Sequence, residues 1–381
     1  MTLALAGVFV ADNNPPPRPR PAPPMYKALD KWFLPYLFRS RPERVSGPLH
    51  IVLCVCDHWE PFHAADRAEA LARVARWETQ FPEVTGGFRD AEGKTPAHTF
   101  FFPIEQWDDE VIERLRAFCR RHHAEAEIHL HHKNDTPENL RATLRRGRDR
   151  LTEAGFLSRD PEGNVRYGFV HGDWALDDSY PGGGYCGVRN ELDILRETGC
   201  YGDFTLPSAP NPSQTRTINR IYYAVDTPAP KSHDRGRPAQ TGIRPAENEF
   251  LLVQGPLGFN WRWRKWGLLP RMENAEIAGA NPPTAKRLAT WLDLAPRLPG
   301  APHVVFVKLH THGGNPRDMN VLLGDPMRRF HALLAEQFND GSHHILHYAT
   351  ARELVNIVHG LEQGGTDPAA LRDTTYRSLI R

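Results

Sequence analysis

The chain of 381 residues carries 47 Lys or Arg and 46 Asp or Glu, which gives a formal net charge of +1. This length can bury a full hydrophobic core, and the balanced charge argues against a protein that binds nucleic acid through a basic surface. The five cysteines have no zinc-ribbon spacing, and their odd number argues against a disulfide framework. No run of about 18 apolar residues occurs, so we predict no integral membrane segment.

The first 47 residues differ in composition from the rest of the chain. Residues 1–24 begin with a short apolar stretch that lacks the basic n-region of a signal peptide, and they continue as NNPPPRPRPAPP. We expect a disordered, Pro-rich tail there, and a cytoplasmic protein. Residues 25–47 combine aromatic and basic side chains, which favours a helix that packs on the following domain. A segment that lies on a membrane or on a partner protein is the alternative.

From residue 48 onward, strand-like and helical patterns alternate. Residues 48–56, PLHIVLCVC, form a near-continuous apolar run that is typical of a buried parallel strand. Further strands are predicted at 98–103, from 126 to about 131, and at 165–171, 203–206, 218–225, 250–254, 303–309 and 344–348. Helices are predicted at 64–81, 108–122, 137–154, 190–198, 284–294, 321–338 and 351–359.

This alternation predicts the fold class. Strands that alternate with helices favour a parallel sheet, and about seven or eight such units favour its closure into a barrel. We therefore expect an α/β protein with a distorted (β/α)7-8 barrel of mostly parallel strands. Residues 48–381 would form this single catalytic domain, with a polar loop insert around 228–245.

Histidine and aspartate recur at four of the predicted strand ends. In parallel α/β folds the functional groups gather at the carboxyl ends of the strands, so we expect these side chains to meet at one rim. Imidazole and carboxylate groups are ligands that divalent metals such as zinc prefer. Each strand end taken alone also fits a histidine that is satisfied by backbone or water. The four ends carry Asp57 and His58; His129, His131 and Asp135; His171 and Asp173; and His310 and His312.

Three of these stretches resemble motifs of the NodB-homology polysaccharide deacetylases, within the glycoside hydrolase/deacetylase β/α-barrel superfamily. The family's first motif ends a strand with Asp-Asp, its second reads Glu-Ile-Gly-x-His-x-x-x-His, and a late strand ends in Leu-His. The corresponding stretches here are VCDHWEP, EIHLHHKND and FVKLHTHG, and the resemblance spans residues 48–314.

The resemblance implies a role for each matching residue. Asp57 would be the catalytic base, and His310, or His312 two residues further on, would be the acid. The metal ligands would be His58, His131 and Asp135, with His58 in place of the family's aspartate and Asp135 in place of its second histidine. Two imidazoles and one carboxylate still suit Zn²⁺, with Co²⁺ or another divalent ion as the alternative.

The implied function is that of a metal-dependent hydrolase, which removes N- or O-acetyl groups from a carbohydrate or polysaccharide through a metal-activated water. His129, His171, Asp173 and Trp174 are further candidates for substrate contact. Two family motifs are missing, because FVHGDWALDD does not match Arg-x-Pro-Tyr-Gly and DFTLPSAP does not match Asp-x-Trp. The orientation of the base therefore stays open.

Two other functions remain possible on the sequence alone. A glycoside hydrolase of the same superfamily would use two carboxylates, with Asp57 or Glu60 and Asp173 or Asp203 as candidates. A non-catalytic barrel that binds polysaccharide or partner proteins would need neither base nor metal. The stretch NWRWRKWG, residues 260–267, fits sugar contact or loop packing. The oligomeric state is not predicted.

Overall fold

The computed structural model describes residues 26–43 and 45–380. The predicted tail over residues 1–24 lies outside these residues. In the described part, the strands are β1 (Leu49–His58), β2 (His98–Pro103), β3 (Ala124–Leu130), β4 (Ser158–Arg159), β5 (Val165–His171), β6 (Cys200–Asp203), β7 (Ile221–Val225), β8 (Arg237–Pro238), β9 (Glu249–Val253), β10 (Gly258–Lys265), β11 (Leu269–Glu273), β12 (Glu276–Ile277), β13 (Val304–Thr311), β14 (His344–Tyr348) and β15 (Arg377–Ser378).

Ten α-helices connect or flank these strands in the described residues. They are α1 (Leu29–Leu37), α2 (Arg67–Thr85), α3 (Asp109–Arg121), α4 (Pro137–Glu153), α5 (Glu191–Thr198), α6 (Ala285–Leu294), α7 (Pro316–Leu322), α8 (Asp325–Gln337), α9 (Ala351–Glu362) and α10 (Pro368–Leu371). The helix predicted at 321–338 is divided into α7 and α8. The other predicted helices agree with observed ones to within a few residues at most ends.

The strands form one large, mostly parallel sheet. Its order is β12-β13-β1-β2-β3-β5-β6-β9-β7-β8, and the pairs from β12 through to β9 are parallel. Strand β14 also pairs in parallel with β1, beside its amino-terminal half. The mixed α/β class and the mostly parallel sheet are therefore as predicted.

Closure of the sheet into a barrel is not seen in the described residues. The strand order ends at β12 on one side and at β8 on the other, and no backbone pairing joins these two strands in the described residues. Strands β7 and β8 are antiparallel to their neighbours, and no α-helix lies between β6 and β9 in this part of the chain. Parallel neighbours need a crossover connection, so this region departs from the repeating unit that builds a barrel.

Alternation along β1 divides its side chains between two hydrophobic clusters. Ile51 and Val55 belong to the cluster that includes α2, α3 and α4, whereas Val52 and Cys56 belong to the cluster that includes α9. Side chains one residue apart on a strand point to opposite faces, so both faces of the sheet are covered. The same alternation decides which residues at the end of β1 reach the candidate site.

Helix α1 packs on the hairpin formed by β10 and β11. Trp32 and Tyr36 are buried, and the ring of Phe259 lies 5.0 and 5.2 Å from theirs. The aromatic residues of this helix thus contribute to packing. In the described part of the chain, no helix has the length and apolar character needed to cross a membrane.

Candidate metal centres

Four strand ends meet at one cavity of about 530 Å³, as the sequence predicted for the carboxyl edge of the sheet. The side chains come from the ends of β1, β3 and β13 and from the turn that follows β5. Of the residues predicted as site candidates, those that line the cavity are His58, Glu60, His129, His131, Asp173, Trp174 and His312.

Glu60, His129 and His131 bring three ligand atoms together at the wall of this cavity. The Nε2 atom of His129 lies 3.5 Å from Oε1 of Glu60, and that of His131 lies 3.8 Å from Oε2. All three ligand atoms lie within 4.8 Å of one another. Because side chains two residues apart on a strand share a face, the His-x-His pattern of β3 directs both imidazoles to the same carboxylate.

The other ring nitrogen of each histidine already has a partner. Nδ1 of His129 is 2.8 Å from the carbonyl oxygen of Val170, and Nδ1 of His131 is 2.7 Å from Oε1 of Glu105. With Nδ1–H as the donor in both, each Nε2 is left with a lone pair, and the buried Nε2 of His129 has no hydrogen-bond partner among the described residues. A carbonyl or carboxylate behind the ring is the usual support of a metal-binding histidine.

The charges in this group favour a cation. Burial alone would raise the pKa of Glu60, but the imidazoles of His129 and His131 lower it to about 2. Burial would lower the pKa of His131, but the hydrogen bond to Glu105 and the charge of Glu60 have the larger effect, so the pKa of His131 is raised. Glu60 therefore stays ionised across the physiological range, and a cation that binds here would replace the imidazole protons that now face this carboxylate.

Two more histidines lie next to this triad. The ring of His58 is 5.1 Å from that of His129 and 4.8 Å from that of His312. Burial, reinforced by His312 and His129, holds the pKa of His58 well below its usual value, so the ring is neutral. His310 is buried beneath the cavity, 6.3 Å from His58 between ring centroids, and burial lowers its pKa as well.

Asp57, the expected base, lies on the opposite side of β1 from the cavity. Its Oδ2 is 2.9 Å from Nε2 of His98, and its Oδ1 accepts a hydrogen bond from the backbone N–H of Gly313 at 2.5 Å. It is fully buried and does not line the cavity. The physical reason is that β1 continues through His58, so two adjacent residues must point in opposite directions.

Asp135, an expected ligand, does not join His131. Asn134 before it has φ +49°, and the turn there directs the Asp135 carboxylate to the next histidine along. Its Oδ2 lies 3.2 Å from Nδ1 of His132, and its Oδ1 accepts from Thr136 N–H. The structure thus brings His58 and His131 to the cavity and separates Asp135 from them.

A second group of possible ligands lies behind the first. His132, His171, Cys186 and Glu191 are all buried, and one ligand atom of each lies within 4.8 Å of the others. This group could hold a metal ion. His171, expected to contact substrate, belongs to it and not to the cavity lining.

Glu191 is the centre of this second group. Its Oε1 lies 3.2 Å from Nε2 of His132 and 3.6 Å from Nε2 of His171, and its Oε2 accepts from the backbone N–H of Asp177 at 2.6 Å. The Cys186 Sγ is 3.3 Å from the same Oε2. Burial would raise the pKa of Glu191, but the two imidazoles lower it to about 2.

The turn after β5 brings the two groups into contact. A Cβ atom on Gly172 would lie only 2.3 Å from Cδ2 of His131, so only glycine leaves room for that ring. Asp173 and Trp174 follow with φ values of +54° and +55° and line the cavity, where Oδ2 of Asp173 is 3.4 Å from Nζ of Lys133. The motif His-Gly-Asp-Trp therefore serves both groups.

The remaining candidates lie elsewhere. Asp203 is buried, accepts a hydrogen bond from the Thr205 hydroxyl at 2.7 Å, and does not line the cavity. Burial raises its pKa to about 7. Trp261 and Trp266 of the NWRWRKWG stretch are more than half exposed, on the hairpin against α1.

Sequence reasoning did not identify Glu60 and His129 as possible metal ligands, and it did not bring the members of the second group together. His129 was predicted as a substrate contact and Glu60 as a glycosidase carboxylate, although the His-x-His spacing on β3 was a usable signal. Cys186 and Glu191 carry no such signal, because about 50 residues separate them from His132. Only the fold brings them together.

No protein-family model matches this sequence, and no curated protein sequence matches it significantly. The resemblance to NodB-homology deacetylases therefore stays an expectation, and the function is inferred from the geometry described above.

Proposed function

We propose that this protein is a metal-dependent hydrolase that removes acetyl groups from a carbohydrate, with Glu60, His129 and His131 as its metal ligands. The observation that carries the proposal is the convergence of these three ligand atoms at an open cavity. Three protein ligands beside an accessible space are typical of a catalytic metal site, whereas structural sites are closed by four.

The proposed ligands keep the composition that the family resemblance implies, two imidazoles and one carboxylate. Their order along the chain differs from that of His58, His131 and Asp135, since the carboxylate comes first, from Glu60 after β1, and the imidazoles follow, from His129 in β3 and His131 just after it. A divalent ion, zinc by preference, would supply Lewis acidity and lower the pKa of a water molecule. Glu105 and the carbonyl of Val170 orient the two imidazoles for this role.

We assign the proton transfers to residues that line the cavity. His312 takes the role of acid, because it faces the cavity while His310 is buried beneath it. Asp173 takes the role of base in place of Asp57. The other two carboxylates of the cavity already have histidine partners, since Glu60 contacts His129 and His131, and Glu105 contacts Nδ1 of His131. Asp57 instead holds Gly313, beside His312, through the backbone N–H.

A carbohydrate substrate fits the size and lining of the cavity. Pockets for small ligands have volumes of about 300–1,000 Å³, and 530 Å³ lies in this range. Trp174 offers an apolar ring face, while Lys133 and Gln106 offer donors for hydroxyl or carbonyl groups.

The proposal includes the superfamily's distorted barrel as the underlying architecture. Lys308 of β13 donates hydrogen bonds to the carbonyl oxygens of Phe204 and of Leu206, the latter at 2.8 Å. These carbonyls follow β6, so a side chain from one side of the sheet reaches the backbone of the other across the interior. A distorted barrel that stays open between its terminal strands β12 and β8 accounts for that contact.

The test is acetate release from acetylated chitin and xylan oligosaccharides, with and without a chelator. We expect release by the metal-loaded protein, and a loss of about 10³-fold on chelation or in His129→Gln, since several kcal/mol of barrier lowering is removed. The matched control is His343→Gln, which changes an exposed histidine and should retain activity. Activity that survives both chelation and His129→Gln would contradict the proposal.

A glycoside hydrolase is the second candidate, because Glu60 and Asp173 line the same cavity. The low pKa of Glu60, about 2, makes it a poor general acid, which favours the deacetylase. Release of reducing sugar that is insensitive to chelator would favour the glycosidase instead. Binding of the oligosaccharides without release of either product would favour a non-catalytic protein.

A further inference from the structure

We propose that His132, His171, Cys186 and Glu191 bind a second ion, a structural zinc that holds in place the backbone on which His131 depends. This inference concerns a separate group of residues and does not depend on which reaction the cavity performs. The buried group is called the closed site below, and Glu60, His129 and His131 are called the open site.

The spacing of the ligand atoms matches tetrahedral zinc. Bond lengths of about 2.0–2.3 Å place the ligand atoms of a tetrahedral site about 3.3–3.8 Å apart. The separations from Glu191 are 3.2 Å to His132 Nε2, 3.6 Å to His171 Nε2 and 3.3 Å to Cys186 Sγ. These separations, two measured from Oε1 of Glu191 and one from its Oε2, lie close to the tetrahedral values, and one ligand atom from each of the four residues lies within 4.8 Å of the others.

Both imidazoles present Nε2 to the centre of the group. Nδ1 of His171 is occupied by the carbonyl oxygen of Gly172, and Nδ1 of His132 faces Oδ2 of Asp135 at 3.2 Å. Nε2 of His171 is buried and has no hydrogen-bond partner in the described part of the chain. An unpartnered buried nitrogen is unfavourable, and an ion at the centre would satisfy it.

The thiol identifies the class of metal. Cys186 is 1% exposed, its S–H donates to Oε2 of Glu191 at 3.3 Å, and burial together with the Glu191 charge raises the pKa of the thiol, so the sulfur is protonated until a cation replaces the proton. On zinc binding the S–H proton passes to solvent and the sulfur becomes a ligand. A soft thiolate with two imidazoles and one carboxylate suits zinc and disfavours magnesium or calcium.

The closed site is joined to the open site through the backbone. His132 follows His131 directly, and His171 directly precedes Gly172, against which the His131 ring packs. The Asp135 N–H also donates to the Cys186 carbonyl oxygen at 2.9 Å. An ion in the closed site would therefore fix the ends of β3 and β5 relative to each other, and with them the position of His131.

The first experiment uses the unaltered protein loaded with Zn²⁺ or with Co²⁺. We expect two ions per chain, and for the cobalt form an absorption band from sulfur-to-cobalt charge transfer, because Cys186 is the one thiol in the two groups. One ion per chain with no such band would overturn the proposal. This measurement requires no substitution, so it decides the question even where a variant fails to fold.

The second experiment assigns the ions with three variants. Cys186→Ala should lose one ion and the charge-transfer band, whereas Cys119→Ala, which changes a buried cysteine of α3, should keep both. Glu60→Gln should lose one ion and keep the band. A band that persists in Cys186→Ala would overturn the proposal.

Failure of this inference is distinguishable from failure of the proposed function. If only the closed site is occupied, the band remains and Glu60→Gln leaves the metal content unchanged. If only the open site is occupied, metal is present without the band. The two readouts thus report on the two sites separately.

Discussion

The two groups of possible ligands lie back to back and share histidine and glutamate, with a cysteine in the closed site alone, yet they differ most in access. Glu60 and His131 of the open site reach the cavity, whereas all four residues of the closed site are buried. Three protein ligands leave a coordination position for water and substrate, and four leave none. The comparison teaches that, if both groups bind metal as proposed, access and ligand number would separate a site for chemistry from a site for stability.

A single dipeptide divides the two sites. His131 faces Glu60, and His132 faces Glu191, because neighbouring residues at the end of a strand point in different directions. Each ring also has its own carboxylate behind it, Glu105 for His131 and Asp135 for His132. The sites therefore share a backbone but no side chain, which allows each to be changed alone.

The largest effect is expected where the sites touch, in Gly172→Ala. The added Cβ would lie 2.3 Å from Cδ2 of His131 and 2.9 Å from its Cα, so the ring or the β5 end must move. Overpacking of this kind costs about 1–3 kcal/mol. We expect stability to fall by that amount and the metal affinity of the open site to fall about 100-fold, since 1.4 kcal/mol is tenfold.

Thermal unfolding and competition with a chelator of known affinity measure the two quantities for Gly172→Ala. The control is Gly87→Ala, where a Cβ meets nothing within 4 Å. Equal affinities in the two variants would mean that Gly172 does not position His131, and that the two sites are independent of each other.

A smaller, selective effect is expected from the carboxylates behind the rings. Glu105→Gln removes the charge that orients His131, and Asp135→Asn removes the charge that faces His132. Loss of such a partner typically lowers metal affinity about 10–100-fold. Each variant should weaken its own site by this factor and leave the other within about twofold.

Metal titration of the cobalt form checks this selectivity, because the charge-transfer band reports the closed site alone. Glu336→Gln, a change at an exposed position of α8, is the control. If both substitutions weakened both sites equally, the conclusion that His131 serves only the open site and His132 only the closed site would be wrong.

The sequence was sufficient to predict which residues lie at the carboxyl edge of the sheet, but not to predict the role of each residue there. Apolar strands ending in polar residues placed His58, His131 and His312 at one edge, because parallel strands align their carboxyl ends. Whether Asp57 or His58 faces the cavity depends on where β1 ends. A shift of one residue in that end reverses the side of the sheet to which each side chain points. No pattern in the sequence resolves a boundary to one residue.

The closed site could not be predicted from the sequence, and the reason is a different one. Cys186 and Glu191 come from the segment that runs from β5 to α5, and they approach His132 only when β3 and β5 pair. The spacing of Cys186 and Glu191 matches no recognised zinc motif, so the local sequence does not indicate that they approach His132. Closure of the barrel is likewise not seen in the described residues, where β7 pairs antiparallel with β8 and with β9, a pairing that local sequence patterns do not reveal.

The smallest effect compares the two central carboxylates in metal-free protein. The pKa values of Glu60 and Glu191 are both lowered from 4.5 to about 2, despite burial, by the imidazoles beside them. A carboxylate with a lowered pKa stabilises the folded state above pH 4.5, and this contribution is lost as the pH falls through about 2. Its upper limit is about 3 kcal/mol for each residue.

Glu60→Gln and Glu191→Gln should therefore destabilise the metal-free protein most where the carboxylate is ionised and its histidine partner is protonated, from about pH 4.5 up to the raised pKa values of His131 and His132, and progressively less as the pH falls below about 4.5. Glu191→Gln should cost more, because its carboxylate is fully buried, whereas that of Glu60 is 12% exposed and water offsets part of the loss. Urea unfolding between pH 3.5 and 7, with Glu336→Gln as reference, measures both costs. Equal costs that do not change with pH would mean that imidazole–carboxylate pairing stabilises neither site, and that both groups depend on metal alone for their geometry.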